Sequence, residues 1–223
     1  MKIDPSVKYR DLPDHFCEHL NFIDTDQIRY AAFAFTFVML DFLLILPILY
    51  PPHPLTFWLT IPLLGIINLW TLAIFVRKPE KLRFEIIIFI AWATAIGSFC
   101  NFVLAQKMAY FVLGVDSPAF FIVTLAGYIA LILQQIWFHW KKYASVKNNF
   151  GVFKDLPWHH KLLCWSVPTG YMVAHFAMNT SEYAGLSLVT SAILGLSSIF
   201  TYISVKFFHK YRFMKTNESY LDM

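Results

Sequence analysis

Charge is scarce in this chain. Only 14% of the residues are Asp, Glu, Lys or Arg, against roughly 25% in an ordinary soluble domain. The shortage falls in blocks, each long enough to cross a hydrocarbon core about 30 Å thick as a helix. The polar stretches between blocks reach about 20–30 residues, too short for an independent hydrophobic core. A separate soluble domain is therefore not expected. Cysteine is also sparse: Cys17, Cys100 and Cys164 show neither a CxxC pair nor a metal-ligand spacing. The sequence has no HExxH, GxSxG or HxxHH run and no paired catalytic carboxylates, which removes the zinc-peptidase and serine-hydrolase signatures. The first 28 residues are polar and mixed in charge. They do not read as a cleavable signal peptide, so the first apolar block is expected to act as its own insertion signal.

What remains is a series of long apolar runs. Tyr30 to Tyr50 is the first, ended by Tyr50-Pro-Pro-His-Pro54, whose prolines cannot continue a hydrogen-bonded helix. Further runs cover Leu55 to Val76, Phe84 to Ala105, Ala119 to Trp140, Leu162 to Asn179 and Gly185 to Val205. These predict an all-α integral membrane protein, a bundle of six transmembrane helices. Ser117-Pro118 is a good helix start before the fourth run. Asp24 with Gln27 resembles a capping box before the first. Residues 106–117 form a connector whose apolar stretch, Met108 to Val115, fits either the interface or a return into the bilayer.

Lysine and arginine set the orientation. With the N-terminus inside, the inner segments hold Lys2, Lys8, Arg10, Arg29, Arg77, Lys78, Lys81, Arg83, Lys141, Lys142, Lys147, Lys154, Lys161, Lys206, Lys210, Arg212 and Lys215. The outer connectors hold Lys107 alone. This bias predicts both termini in the cytosol, in the plasma or inner membrane. It also assigns the net charge of +4 to a membrane face rather than to nucleic acid. Three regions follow: a cytosolic N-terminal segment, 1–28, a six-span domain, 29–205, and a cytosolic tail, 206–223. In the first region Pro13 opens a short helix with Phe16, Cys17, Leu20 and Ile23 towards one side, an expected interfacial helix. His15 and His19 share a face of it at i, i+4, a spacing that metal sites use. They read here as solvated surface histidines.

Small and polar residues recur at helical spacing on several spans: Gly65, Asn68 and Thr71 on the second, Ala91, Ala95, Ser98 and Asn101 on the third, and Ser187, Ser191, Gly195, Ser198 and Tyr202 on the sixth. Such stripes let helices approach closely in lipid, and packing is their expected role. On the fourth span Thr124, Tyr128, Gln135 and His139 lie within about a quarter-turn of one another.

One ionisable residue, Asp41, sits in the middle of the first span. A carboxylate at that depth costs a few kcal/mol at least and marks a functional site by default. The candidate substrate- or proton-binding residues are Asp41, Asn68, Tyr128, Tyr171 and His175. This set predicts a small-solute or ion transporter, or a component of one. A second reading is a lipid-modifying enzyme that uses histidines at the cytosolic edge. There His139, His159 and His160 crowd with Trp140 and Trp158, and Lys141, Lys142, Trp158, His159 and His160 form an interfacial, headgroup-facing group. A third is a non-catalytic subunit. Expected partners are membrane lipids and either another protein or further copies of this chain. No metal and no cofactor is expected: a haem needs facing axial ligands, and the intramembrane pair His139 and His175 falls near opposite membrane faces.

Overall fold

The computed structural model describes residues 3, 9, 12–143 and 181–221. The elements are α1 (Asp14–Leu20), α2 (Ile28–Phe33), a π-helical segment (Ala34–Phe42), α3 (Leu43–Leu49), α4 (Pro54–Val76), α5 (Arg83–Lys107), a second π-helical segment (Met108–Val112), α6 (Ala119–Lys142) and α7 (Glu182–Thr216). No strand occurs among the described residues. Five rods among them are long and apolar enough to cross a membrane: Thr25–Leu49, Pro54–Val76, Arg83–Val112, Ala119–Lys142 and Tyr183–Thr216. The molecule is thus an all-helical bundle of membrane-spanning character. The expected fifth span, Leu162 to Asn179, lies outside the described residues.

Contacts along the rods give their directions. Thr36 bonds Thr71 at 2.6 Å and Asp41 meets Asn68 at 3.0 Å, so the first rod and α4 are antiparallel. Trp70 Nε1 donates to Glu85 at 3.0 Å, so α4 and α5 are antiparallel too. Ser98 meets Ser197 and Thr201, while Ser204 donates to the Ala91 carbonyl at 3.0 Å. Hence α7 runs antiparallel to α5. Gln106 pairs with Thr124 and Ser98 with Tyr128, so α6 runs parallel to α7. Ile3 N–H donates to Asn217 Oδ1 at 2.8 Å, which puts the first and last described residues at one end. Tyr143, after α6, lies at that end as well, against His19. Ser181, before α7, lies at the other, where α7 meets the Met108–Val112 segment. Every described lysine and arginine except Lys107 falls at the end holding Ile3 and Asn217.

The core is built on α5, whose buried side chains include Ile86, Ile87, Phe89, Ile90, Cys100 and Leu104. In lipid, burying these side chains gives little net drive for association, so close packing and interhelical hydrogen bonds must hold the rods together. Gly97 provides the closest approach: a Cβ there would lie 2.6 Å from Leu40 Cδ2 and 3.4 Å from Phe200. Beside it Ser98 Oγ donates to the Ser197 carbonyl at 2.9 Å, and Ser197 Oγ returns a bond to the Ser98 carbonyl at 2.9 Å. Ser98 Oγ also lies 3.0 Å from Tyr128 Oη and 2.6 Å from Thr201 Oγ1, and Thr201 Oγ1 donates to the Ser197 carbonyl at 2.9 Å. Outward, Ile122, Val123, Leu133 and Trp137 of α6 are exposed, as a lipid-facing wall requires.

Several expectations change. The packing face of α7 is Thr190, Ile193, Ser197, Phe200, Thr201 and Ser204. The row from Ser187 to Tyr202 faces elsewhere: Ser191, Gly195 and Tyr202 are exposed, because the face is set by what α5 presents. Gly65 is exposed while Thr71 of the same stripe is buried. Asp24 makes no side-chain cap bond, since a short 3-10 turn, Thr25–Gln27, precedes α2 and carries the backbone bond instead. The connector is largely helix: α5 continues to Lys107 and into the second π segment, and Gly114 at φ +69° closes it. Lys107 does not face solvent. Its Nζ is buried and donates to the carbonyls of Pro47 and Ile48, at 2.8 and 3.0 Å. These are orphan acceptors at the negative end of α3.

The close approach at Gly97 sets a stability test. Gly97→Val should destabilise the bundle by about 1–3 kcal/mol, the usual cost of overpacking. Gly195→Val, where an added Cβ meets nothing within 4 Å, should not. Thermal unfolding of both variants in detergent measures the difference.

Candidate functional site

Two polar centres stand out, one at mid-span and one at the charged end. At mid-span, Asn68 donates one amide hydrogen to the Leu64 carbonyl on its own helix and the other to Asp41 Oδ1, each at 3.0 Å. The bond to Leu64 fixes the amide, so its second N–H is aimed before Asp41 arrives. Asp41 is half-buried and lies within the π-helical segment Ala34–Phe42. π turns recur at functional sites, where they redirect a side chain without ending the helix. The ion pairs among the described residues are Arg77–Glu85 at 2.9 Å and Lys206–Glu18 at 3.7 Å, both at the charged end. Neither reaches Asp41, whose described partner is one neutral amide.

At the charged end, α1 docks on α7. Phe16 and Leu20 are buried, and Phe16 packs on Phe213 with ring centres 5.6 Å apart. This docking carries His19 inside to 2% exposure, which overturns its reading as a solvated surface histidine. An amphipathic helix buries its apolar face on whatever apolar surface is nearest, and here that surface is α7. His19 Nδ1 lies 3.0 Å from Tyr143 Oη, and His19 Nε2 lies 3.1 Å from His209 Nδ1. Burial lifts the Tyr143 phenol above its ordinary range, so it keeps its proton. A neutral imidazole donates through one nitrogen and accepts through the other, so His19 links Tyr143 to His209 in either tautomer. Burial, then the nearby His209, Lys210, His139 and Lys206 charges, holds His19 well below the usual imidazole range.

His139 completes this group. Its ring stands parallel to Tyr143, centres 6.5 Å apart, and 5.7 Å from His209. It is 3% exposed, and neither ring nitrogen has a hydrogen-bond partner among the described residues. Leaving such a group unsatisfied costs about 1–3 kcal/mol. His139 lines a cavity of about 580 Å³ between α6 and α7, shared with Ile136, Trp140, Phe208, His209 and Arg212. Among the described residues no group of three His, Cys, Asp or Glu side chains is placed to hold a metal.

Of the residues singled out in the sequence, the structure joins Asp41 and Asn68. Tyr128 belongs to a different network, bonded to Ser98 and stacked on Phe102 at 5.0 Å. Thr124 bonds Gln106 of α5 and His139 is buried, so the side of the fourth span that they share faces the bundle. Lys141 lies over the Trp137 ring at 4.9 Å and Lys142 over the Tyr143 ring at 5.5 Å. Tyr171, His175, Trp158, His159 and His160 lie outside the described residues. His209 and Arg212 escaped sequence reasoning. The signal that marks them is periodicity: Val205, Phe208, Arg212 and Thr216 continue one helix face beyond the last apolar run.

A neutral His19 gives stability a sign with pH. The unfolded imidazole titrates near 6.5, so the unfolded state binds the extra proton and stability rises with pH. The contribution is fully present above about pH 6.5 and is lost as pH falls below it, by up to about tenfold in the folding constant per unit. Unfolding midpoints in detergent between pH 7.5 and 5 should show this slope, and His19→Gln should flatten it by about one proton.

The chain matches no known protein family, no curated protein and no solved structure.

Proposed function

We propose that the protein is a six-span protein of the plasma or inner membrane with both termini in the cytosol. In this reading it is a small-solute or ion transporter, or a transport component, and Asp41 is its coupling carboxyl. Two observations support the topology. Tyr143 and Ser181 lie at opposite ends of the bundle, which calls for one more crossing between them. The described lysines and arginines, Lys107 excepted, gather at the end that holds Ile3 and Asn217, the distribution of a cytosolic face.

The Asp41–Asn68 pair carries the transport reading. A structural carboxyl at this depth would be expected to have a cation or several donors. Among the described residues Asp41 has one neutral amide partner, held in place by its own helix. That leaves capacity for a proton or small cation to bind and leave. The π-helical turn beneath it supplies a backbone able to shift register by small steps. The enzyme reading through His159 and His160 rests on residues outside the described ones, and no contact among the described residues favours a subunit role.

The test is flux. Purified protein in liposomes loaded with a pH-sensitive or sodium-sensitive dye should dissipate an imposed proton or sodium gradient. Asp41→Asn should cut that flux at least tenfold while elution volume and helical content stay unchanged. Asn68→Leu should give an intermediate loss. Wild-type flux in Asp41→Asn, or failure of that variant to accumulate, would reject the assignment. Epitopes placed at residues 1 and 223 should react with antibody only after cells are permeabilised.

A further inference from the structure

We infer that the cavity between α6 and α7 is a binding site for an anionic phospholipid of the leaflet at the charged end, with the phosphate at Arg212 and His139. The argument starts from the lining. Val205, Phe208, His209, Arg212, Phe213 and Thr216 share one face of α7, about 16 Å from first to last at the helical rise. Ile136, His139 and Trp140 face them from α6. The lining is graded along the axis. Ile136, Val205 and Phe208 lie towards the bilayer, and Arg212 and Thr216 lie towards the end where the chain termini meet. A lipid has the same order, apolar below and charged above.

The polar end is built for an anion. Arg212 is exposed and makes no ion pair among the described residues. Lys142 of α6 adds positive charge beside His139. His139 itself is a buried imidazole with both nitrogens unpartnered among the described residues, and a neutral imidazole always has one N–H to donate. A phosphate oxygen accepts from that N–H while the guanidinium takes a second oxygen. The apolar end is open to lipid: Ile136 and Trp140 are 49% and 67% exposed, so an acyl chain enters from the side. The cavity volume, about 580 Å³, holds a headgroup and the first part of the chains. This site is separate from Asp41 and stands whether or not the protein transports.

Bromine on an acyl chain quenches tryptophan only on contact, and Trp140 forms one wall of the cavity. Full-length protein in mixed micelles is titrated with brominated phosphatidylglycerol or brominated phosphatidylcholine, and Trp140→Phe identifies the Trp140 signal. The anionic lipid should quench that signal at least fivefold more effectively. Arg212→Gln, a change at an exposed position, should bring it down to the zwitterionic level. His139→Phe should weaken quenching by the anionic lipid at least threefold. Equal quenching by the two lipids, or an anionic preference that survives Arg212→Gln, would overturn the proposal. Inorganic phosphate is the probe for the other source of the same chemistry. Millimolar phosphate should leave quenching unchanged, and displacement of the lipid by phosphate alone would overturn the lipid assignment.

Discussion

The bundle depends on how closely α5 and α7 approach. Two apolar helices in lipid gain little from hiding hydrophobic surface, since acyl chains are as apolar as leucine. What is left is van der Waals contact at short range and hydrogen bonds whose groups find no water. Gly97 permits the first, with Leu40 and Phe200 filling the space a side chain would take. Ser98 and Ser197 supply the second, each hydroxyl donating to the other residue's carbonyl. Because Ser98 Oγ also pairs with Thr201 and Tyr128, the same knot also holds α6 against the pair. Everything at the charged end, from His19 to Arg212, is positioned by an α7 whose rotation is set here.

That dependence explains why the two polar centres differ. Asp41 and Asn68 join the first rod to α4 through a neutral amide, alongside the Thr36–Thr71 bond between the same two rods. The first rod is also the one whose helical ladder is widened, over Ala34–Phe42. The histidine centre lies where three elements converge, with Phe16, Tyr143 and Phe213 packed around it. A wide-turned rod is suited to small displacements. A densely packed end is suited to holding a ligand in one place. Lys107 belongs to neither. Placed alone at the far end, it closes off the last carbonyls of α3, so a residue that reads as a solvated connector charge is a helix cap.

Much of the site was legible only in part. Asp41 was visible because a charge inside an apolar run has no ordinary reason to be there. Asn68 was visible as a member of a helical stripe and as an expected neighbour of Asp41 in one candidate site. His19 was visible and misread. Its i, i+4 relation to His15 describes a face of α1, but burial is decided by the surface α1 meets, and α7 is distant in sequence. His139 was placed by spacing on one quarter-turn of its span with Thr124, Tyr128 and Gln135, though spacing did not say which way that side faces. Its lack of a partner was not readable, since that is a property of everything around it.

The sequence by itself determined that the chain is helical with runs long and apolar enough to cross a bilayer, and which end of each run carries the positive charge. Each of these follows from local quantities: run length, the need to satisfy backbone groups within a segment, and residue type at segment ends. Only the tertiary structure decided which face of α7 packs, that α1 buries His19, and that an unpartnered imidazole lines a cavity beside Arg212. These depend on contacts between residues far apart in the chain. In a segment apolar on all sides, periodicity names several faces as plausible, and the partner helix selects one.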